Sequence, residues 1–235
     1  MNRAPVNALT LALYQEIAEL FETLGQSTED ANCVVFTGRG EKAFCAGLDL
    51  NEFLAAKVED DAARAAVVRR TFEAVRKCAI PVIAAVNGYC FGFGMELAAA
   101  CDMRIGIDSA RFGMPEVRVG IPSVIHAALL PRLIGWGRAR WLVMTAENID
   151  APTALAWGLV DVVAAAGGLD AAVEHTVKAL LECGPETLRA QKALLRQWEE
   201  LPLTESVNLS VGVFGQSFLT GEPQRLMQGF LDRKR

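Results

Sequence analysis

Metal-binding and hydrolase signatures are scarce in this chain of 235 residues. His126 and His175 are its only histidines, and HExxH, CxxC and GxSxG are all absent. A zinc site needs a cluster of such ligands at fixed spacing, and a serine hydrolase of the elbow type needs its glycine-flanked nucleophile. The glycines do not build a nucleotide fingerprint either. Gly92-Phe93-Gly94 lacks the third glycine because Leu97 stands there, and TGRGEK lacks both the spacing and the Ser/Thr of a phosphate loop. Basic charge is in deficit, with 23 Lys and Arg against 28 Asp and Glu and a net charge of −5. A general binder of nucleic acid or anionic membrane rests on the opposite balance. MNRAPVNALT carries no apolar leader, and the apolar stretch from Ile80 to Met103 is broken by Pro81, Asn87, Glu96 and Asp102. That stretch reads as a buried strand followed by a buried helix, not a membrane span. The six cysteines, at 33, 45, 78, 90, 101 and 183, sit largely in apolar runs without paired spacing, so reduced thiols and a cytoplasmic location are expected.

What is present supports a sizeable core. At 52% hydrophobic and 22% charged residues, the chain can bury one core, or one core with a helical appendage. Leu9, Leu13, Ile17, Leu20, Phe21 and Leu24 recur at helical spacing, with Gly25 as the expected stop. Strands are expected at Cys33 to Thr37, Pro81 to Val86, Met103 to Ile107 and Leu159 to Val163, and a helix over 60 to 77. A further helix over about 123 to 134 should kink or split at Pro131, and Asp150 should cap one that ends at Gly158. Beyond 168 only helices are expected, three of them entered through Pro185, Pro202 and Pro223. The fold class is α/β, divided near 165 into an α/β core (1–165) and a helical region (166–235).

The candidate chemistry lies in two glutamates. Glu96 stands in NGYCFGFGMELAAACD and Glu116 in ARFGMPEVRVG, and AFCAGLDL lies upstream at 43 to 50. Carboxyls set among glycines and apolar residues are poorly solvated, which raises their pKa and suits them to hold or release a proton near neutrality. The alternatives are a first-turn acid satisfying a helix dipole and a solvated loop carboxylate. His126, in an apolar setting, is read as structural, and Cys45 as a packing residue with no histidine near it in sequence.

These three segments, in this order and spacing, resemble the enoyl-CoA hydratase/isomerase (crotonase) family. NRAPVNAL at 2 to 9 and IDAPTALAWGLVDVV at 149 to 163 extend the resemblance over nearly the whole chain. It implies a core of β-β-α superhelical turns with a C-terminal helical trimerisation region, and an acyl-CoA thioester as substrate. The backbone amides of Leu48 and Phe93 would form the oxyanion hole for the thioester carbonyl. Glu96 would orient and deprotonate water for attack at C3, and Glu116 would deliver a proton to C2. Arg3, Arg39 and Lys42 would meet the anionic parts of coenzyme A, with backbone near Ala43 and Ala46 reading the adenine, and Gly47, Asp49, Gly92 and Pro115 would complete the binding loops. The terminal Arg233-Lys234-Arg235 is read as a solvated charged end.

The resemblance implies hydration of 2-trans-enoyl-CoA to 3-hydroxyacyl-CoA, with no metal or redox cofactor, in a homotrimer or hexamer. An enoyl-CoA isomerase, or another lyase or hydrolase of the family, is the alternative. RNA binding, known in some relatives, would use a lysine row on the first helix, but Leu9 to Gly25 contains Glu16, Glu19 and Glu22 and no Lys or Arg. Three departures from the family pattern stand out. A β-hairpin usually precedes the NRAPVNAL segment, and its absence would expose a sheet edge. Phe93 occupies a position that is often glycine. The run Gly120-Ile121-Pro122-Ser123-Val124-Ile125-His126 is bulkier than usual and should reshape the acyl pocket.

Overall fold

The computed structural model describes residues 1–26 and 31–233. Helix α1 (Leu11–Gln26) leads to strands β1 (Val34–Thr37) and β2 (Ala43–Cys45), then to α2 (Leu50–Ala55) and α3 (Asp61–Lys77). A second turn contains β3 (Val82–Val86), β4 (Tyr89–Phe91) and α4 (Phe93–Ala100). A third contains β5 (Met103–Ile107), β6 (Arg111–Gly113), α5 (Leu130–Ile134) and α6 (Trp136–Thr145). After β7 (Ile149–Asp150), α7 (Ala151–Trp157) and β8 (Val162–Ala164) come α8 (Leu169–Leu181), α9 (Pro185–Trp198), α10 (Leu203–Ser217) and α11 (Glu222–Asp232). Lys234 and Arg235 lie outside the described residues.

The two strands of each turn go to different sheets. β1, β3, β5 and β8 form one parallel sheet, while β2, β4, β6 and β7 form the other, with only β7 antiparallel to its neighbour. Parallel pairing follows from the repeat, since a helix must carry the chain back before the next strand can start. All five residues of β3 are buried, as expected of a strand covered on both faces. Most buried apolar side chains form one core, including Tyr14, Phe21, Phe44, Phe72 and Phe112. A smaller cluster joins Ile83, Ala85 and Ile105 to Val173 of α8 on the far side of the first sheet.

The helical region is bound to this core by an ion pair whose lysine is buried. Nζ of Lys192, on α9, donates to Asp102 at 2.6 Å and to the carbonyl of Ile80 at 2.9 Å. All six cysteines are free. Among the described residues no helix is long and apolar enough to cross a membrane.

β1, β3 and α3 each begin one residue later than the sequence expectation, and two further boundaries also differ from it. β8 begins at Val162, not Leu159, because the amides of Leu159 and Val160 turn back to the carbonyl of Ala154 and close the end of α7. α1 continues one residue past Gly25. Glycine permits a helix to end but does not oblige it to. The segment from 125 to 134 divides as expected, into a 3-10 turn (Ile125–Leu129) and α5, with Pro131 in the first turn of α5.

Candidate active site

The site is assembled where the second strand layer hands over to α4. Gly92 has φ 53° and ψ −126°, a backbone shape that side-chain-bearing residues avoid. This turn lets α4 start at Phe93. The carbonyl of Gly92 takes the amides of Met95 at 2.8 Å and Glu96 at 3.0 Å. The Phe93 amide, first in the helix, has no acceptor among the described residues, as is usual at a helix N-terminus.

A second free amide is set by an isolated parallel bridge between Leu9 and Leu48. Leu9 donates to the carbonyl of Gly47 at 2.7 Å and accepts from the amide of Asp49 at 3.0 Å. Neighbours along an extended chain point their polar groups to opposite sides, so the Leu48 amide faces away from Leu9. Gly47 has φ 94°, and a Cβ built on it would lie 2.9 Å from the carbonyl oxygen of Phe91 and 3.5 Å from the amide nitrogen of Phe93. The two loops that carry the unpaired amides are therefore in contact.

The carboxyls of Glu96 and Glu116 stand beside them. Glu96, in the first turn of α4, is fully buried. Its Oε2 accepts the backbone amide of His126 at 2.9 Å, and Oε1 has no partner. Burial, with a smaller contribution from the charge of Glu116, pushes its pKa up to about 9, against the pull of the His126 and Ala127 amides. Glu116 is half-buried and opens a 3-10 turn (Glu116–Val119). Its Oε2 accepts the Ser123 hydroxyl at 3.1 Å, and its Oε1 leans over Gly92, where any Cβ would collide with it. Its pKa is also raised, chiefly by burial, with its own backbone amide and Ser123 opposing the shift.

A cavity of about 190 Å³ opens against these loops, lined by Leu48 and Phe93 together with Tyr14, Phe53, Val124 and Ile125. The ring of Phe93 turns into an aromatic cluster, edge-on to Tyr14 at 6.3 Å and to Phe72 at 6.0 Å between centroids. The His126 ring stands edge-on to Phe72 at 5.3 Å, and burial holds its pKa below the ordinary value. Among the described residues no three His, Cys, Asp or Glu are grouped closely enough to hold a metal ion.

Of the residues singled out in the sequence, Glu96, Glu116, Leu48, Phe93, Gly47 and Gly92 come together, and Pro115 starts the turn that carries Glu116. Arg3 and Asp49 pair with each other. Asp49 also caps α2, accepting the amides of Asn51 and Glu52, so its carboxylate is committed. Lys42 and Arg39 are exposed, Ala43 is buried in β2, and the Ala46 amide is taken by the carbonyl of Val6 at 3.0 Å. Ser123, the His126 amide and Asn7 escaped sequence reasoning. The Nδ2 of Asn7 ties the N-terminal segment to the carbonyls of Ala43 at 2.8 Å and Arg39 at 3.1 Å. Nothing in the pattern marks these residues, because each bond joins irregular segments.

The sequence model of the enoyl-CoA hydratase/isomerase family matches residues 1–235. A crotonyl-CoA hydratase of Syntrophomonas wolfei is 35% identical over 86% of this chain and 78% of its own. A short-chain-enoyl-CoA hydratase of Clostridium acetobutylicum is 31% identical over 93% of this chain and 85% of its own. The crystal structure of an enoyl-CoA hydratase from Bacillus anthracis superposes with a TM-score of 0.92 at 32% identity, covering 96% of this chain and 88% of that one.

Proposed function

This chain belongs to the enoyl-CoA hydratase/isomerase family and is an enzyme of it, and on that premise we propose that it adds water to 2-trans-enoyl-CoA to give 3-hydroxyacyl-CoA. One observation carries the choice of hydration. Two carboxyls with raised pKa values stand together beside two unpaired amides, whereas a double-bond shift needs chiefly one carboxyl.

In the proposed reaction the thioester carbonyl oxygen receives the amides of Leu48 and Phe93. These amides stabilise the negative charge that collects there as an enolate forms, and the N-terminal end of α4 adds its dipole. Water attacks C3 while giving a proton to Glu96, and C2 takes a proton from Glu116. One oxygen and two hydrogens are added in total. The two carboxyls together hold one proton before and after, and titrate as a pair. Burial raises both pKa values, so the pair retains that proton in the free protein, and hydration leaves it on Glu96. The incoming water returns it to Glu116 for the next turnover. No metal or redox group takes part in this scheme.

Conjugation of the double bond with the thioester gives the substrate an ultraviolet band that the hydrated product lacks. Addition of the protein to a series of 2-trans-enoyl-CoA chain lengths should lower that absorbance. If folded protein leaves the whole series intact, the hydratase reading fails.

A further inference from the structure

The turn from Ser123 to His126 holds both carboxyls, each by one oxygen. The Ser123 hydroxyl donates to Oε2 of Glu116 at 3.1 Å, and the His126 amide donates to Oε2 of Glu96 at 2.9 Å. Between these two donors Ile125 has φ 55°, in the left-handed region that a β-branched residue rarely adopts. Strain of this kind persists where the surrounding contacts fix it, and the strained residue lies directly before the amide that holds Glu96. The other oxygen of Glu116, Oε1, leans over Gly92, the residue before the Phe93 amide.

We propose that Ser123 is a positioning residue for hydration: by holding Oε2 of Glu116 it makes Oε1 the oxygen that passes a proton to C2. This rests on the hydratase reading and deepens it. A protonated carboxyl accepts best at its carbonyl-type oxygen, so acceptance at Oε2 leaves the proton of Glu116 on Oε1. As the Oε1–H bond breaks and the C2–H bond forms, Glu116 becomes a carboxylate, and the hydrogen bond from the hydroxyl strengthens. Ser123 thereby offsets part of the burial that makes Glu116 a weaker acid, and it keeps the carboxyl from rotating away from the substrate. Few charges compete with this bond. Glu96 on α4 and the Tyr14 phenol on α1 are the titratable groups coupled to Glu116, and burial raises the phenol so far that it stays protonated. Arg118, in the same turn as Glu116, donates instead to the carbonyl of Thr145 at 3.5 Å.

The test compares Ser123→Ala, which removes the hydroxyl, with Ser123→Thr, which keeps it. Steady-state hydration of 2-trans-enoyl-CoA is measured across pH for the full chain. Ser123→Ala should lower turnover by about tenfold with little change in KM. Its pH profile should move to higher pH, the two limbs together by about one unit, because losing a donor to the carboxylate raises the proton affinity of the pair. Ser123→Thr should restore both rate and profile. Infrared titration of the free protein, with Glu116→Gln identifying the Glu116 band, should show the same upward displacement in Ser123→Ala without any substrate. Unchanged turnover in Ser123→Ala, a slower enzyme whose titration has not moved, or a displacement shared by Ser123→Thr overturns the inference. Wild-type protein that leaves every enoyl-CoA intact sinks the hydratase reading instead, and the infrared displacement then still decides whether Ser123 governs Glu116.

Discussion

The backbone amide of His126 holds Oε2 of Glu96 at 2.9 Å, while Oε1 of the same buried carboxyl has no partner. One oxygen is fixed, and the other is available to a water or a substrate. The histidine contributes here through its main chain, so replacing its ring by an apolar group should disturb packing against Phe72 more than proton transfer.

Burial of Glu96 ties stability to pH. Its folded-state pKa, up to about 9, lies above the ordinary 4.5, so the folded protein binds a proton that the unfolded chain has lost between those values. Its contribution is therefore fully present below about pH 4.5 and is lost as pH rises toward 9. Glu96→Gln keeps the shape and removes the titration. Its melting temperature should exceed that of the wild type by a margin that widens from pH 5 to pH 9, and a margin independent of pH would contradict the buried, protonated carboxyl.

Glu96→Gln and Glu116→Gln should each lower turnover by roughly two to four orders of magnitude with little change in coenzyme A affinity, as expected for positioned acid and base groups. The double variant should lose far less than the sum. If the chain acts as an isomerase, one position should dominate and the other should change turnover by less than about tenfold. If both carboxyls are merely structural, melting temperature should fall and activity per folded molecule should persist.

Gly92→Ala tests the turn that brings the two loops together. At φ 53° and ψ −126° an alanine is strained, at a cost of about 1–3 kcal/mol, and its Cβ would collide with Oε1 of Glu116. Reduced stability and a loss of turnover close to that of Glu116→Gln are expected. If the damage passes through Glu116, adding Gly92→Ala to Glu116→Gln should cost little further activity. A full additional loss would place the effect elsewhere.

The sequence made the long elements legible and left the short ones unread. Helices α1 and α3 span 16 and 17 residues, β3 is a five-residue apolar run, and Met103, Ile105 and Ile107 alternate along β5. By contrast β2, β4 and β6 have three residues each and β7 two, too few for any period to show, yet they build the whole second sheet. The helix α2 was missed for a related reason. Asp49 looked like a binding-loop acid, whereas its side chain caps that six-residue helix. Both glutamates could be picked out by their glycine-rich, apolar flanks. Their clamps could not, because the His126 amide and the Ser123 hydroxyl reach them across irregular chain.

Self-association should reside in the C-terminal helices. Leu203, Val207, Val211 and Phe214 fall on one stripe of α10 and are between 55% and 80% exposed, and Leu219 just beyond it is 86% exposed. We expect trimers or pairs of trimers by light scattering at tens of micromolar, and dissociation when Val211→Asp and Phe214→Glu are combined. A wild-type monomer at that concentration would contradict this assignment of the exposed stripe.

The most direct test of the central claim is to let the enzyme act on 2-trans-enoyl-CoA in water enriched in oxygen-18 and to analyse the product by mass spectrometry. We predict a 3-hydroxyacyl-CoA that carries the labelled oxygen at C3, and loss of its formation in both single glutamate-to-glutamine variants. A product of unchanged mass with its double bond moved, or an intact thioester in the presence of folded protein, would contradict it.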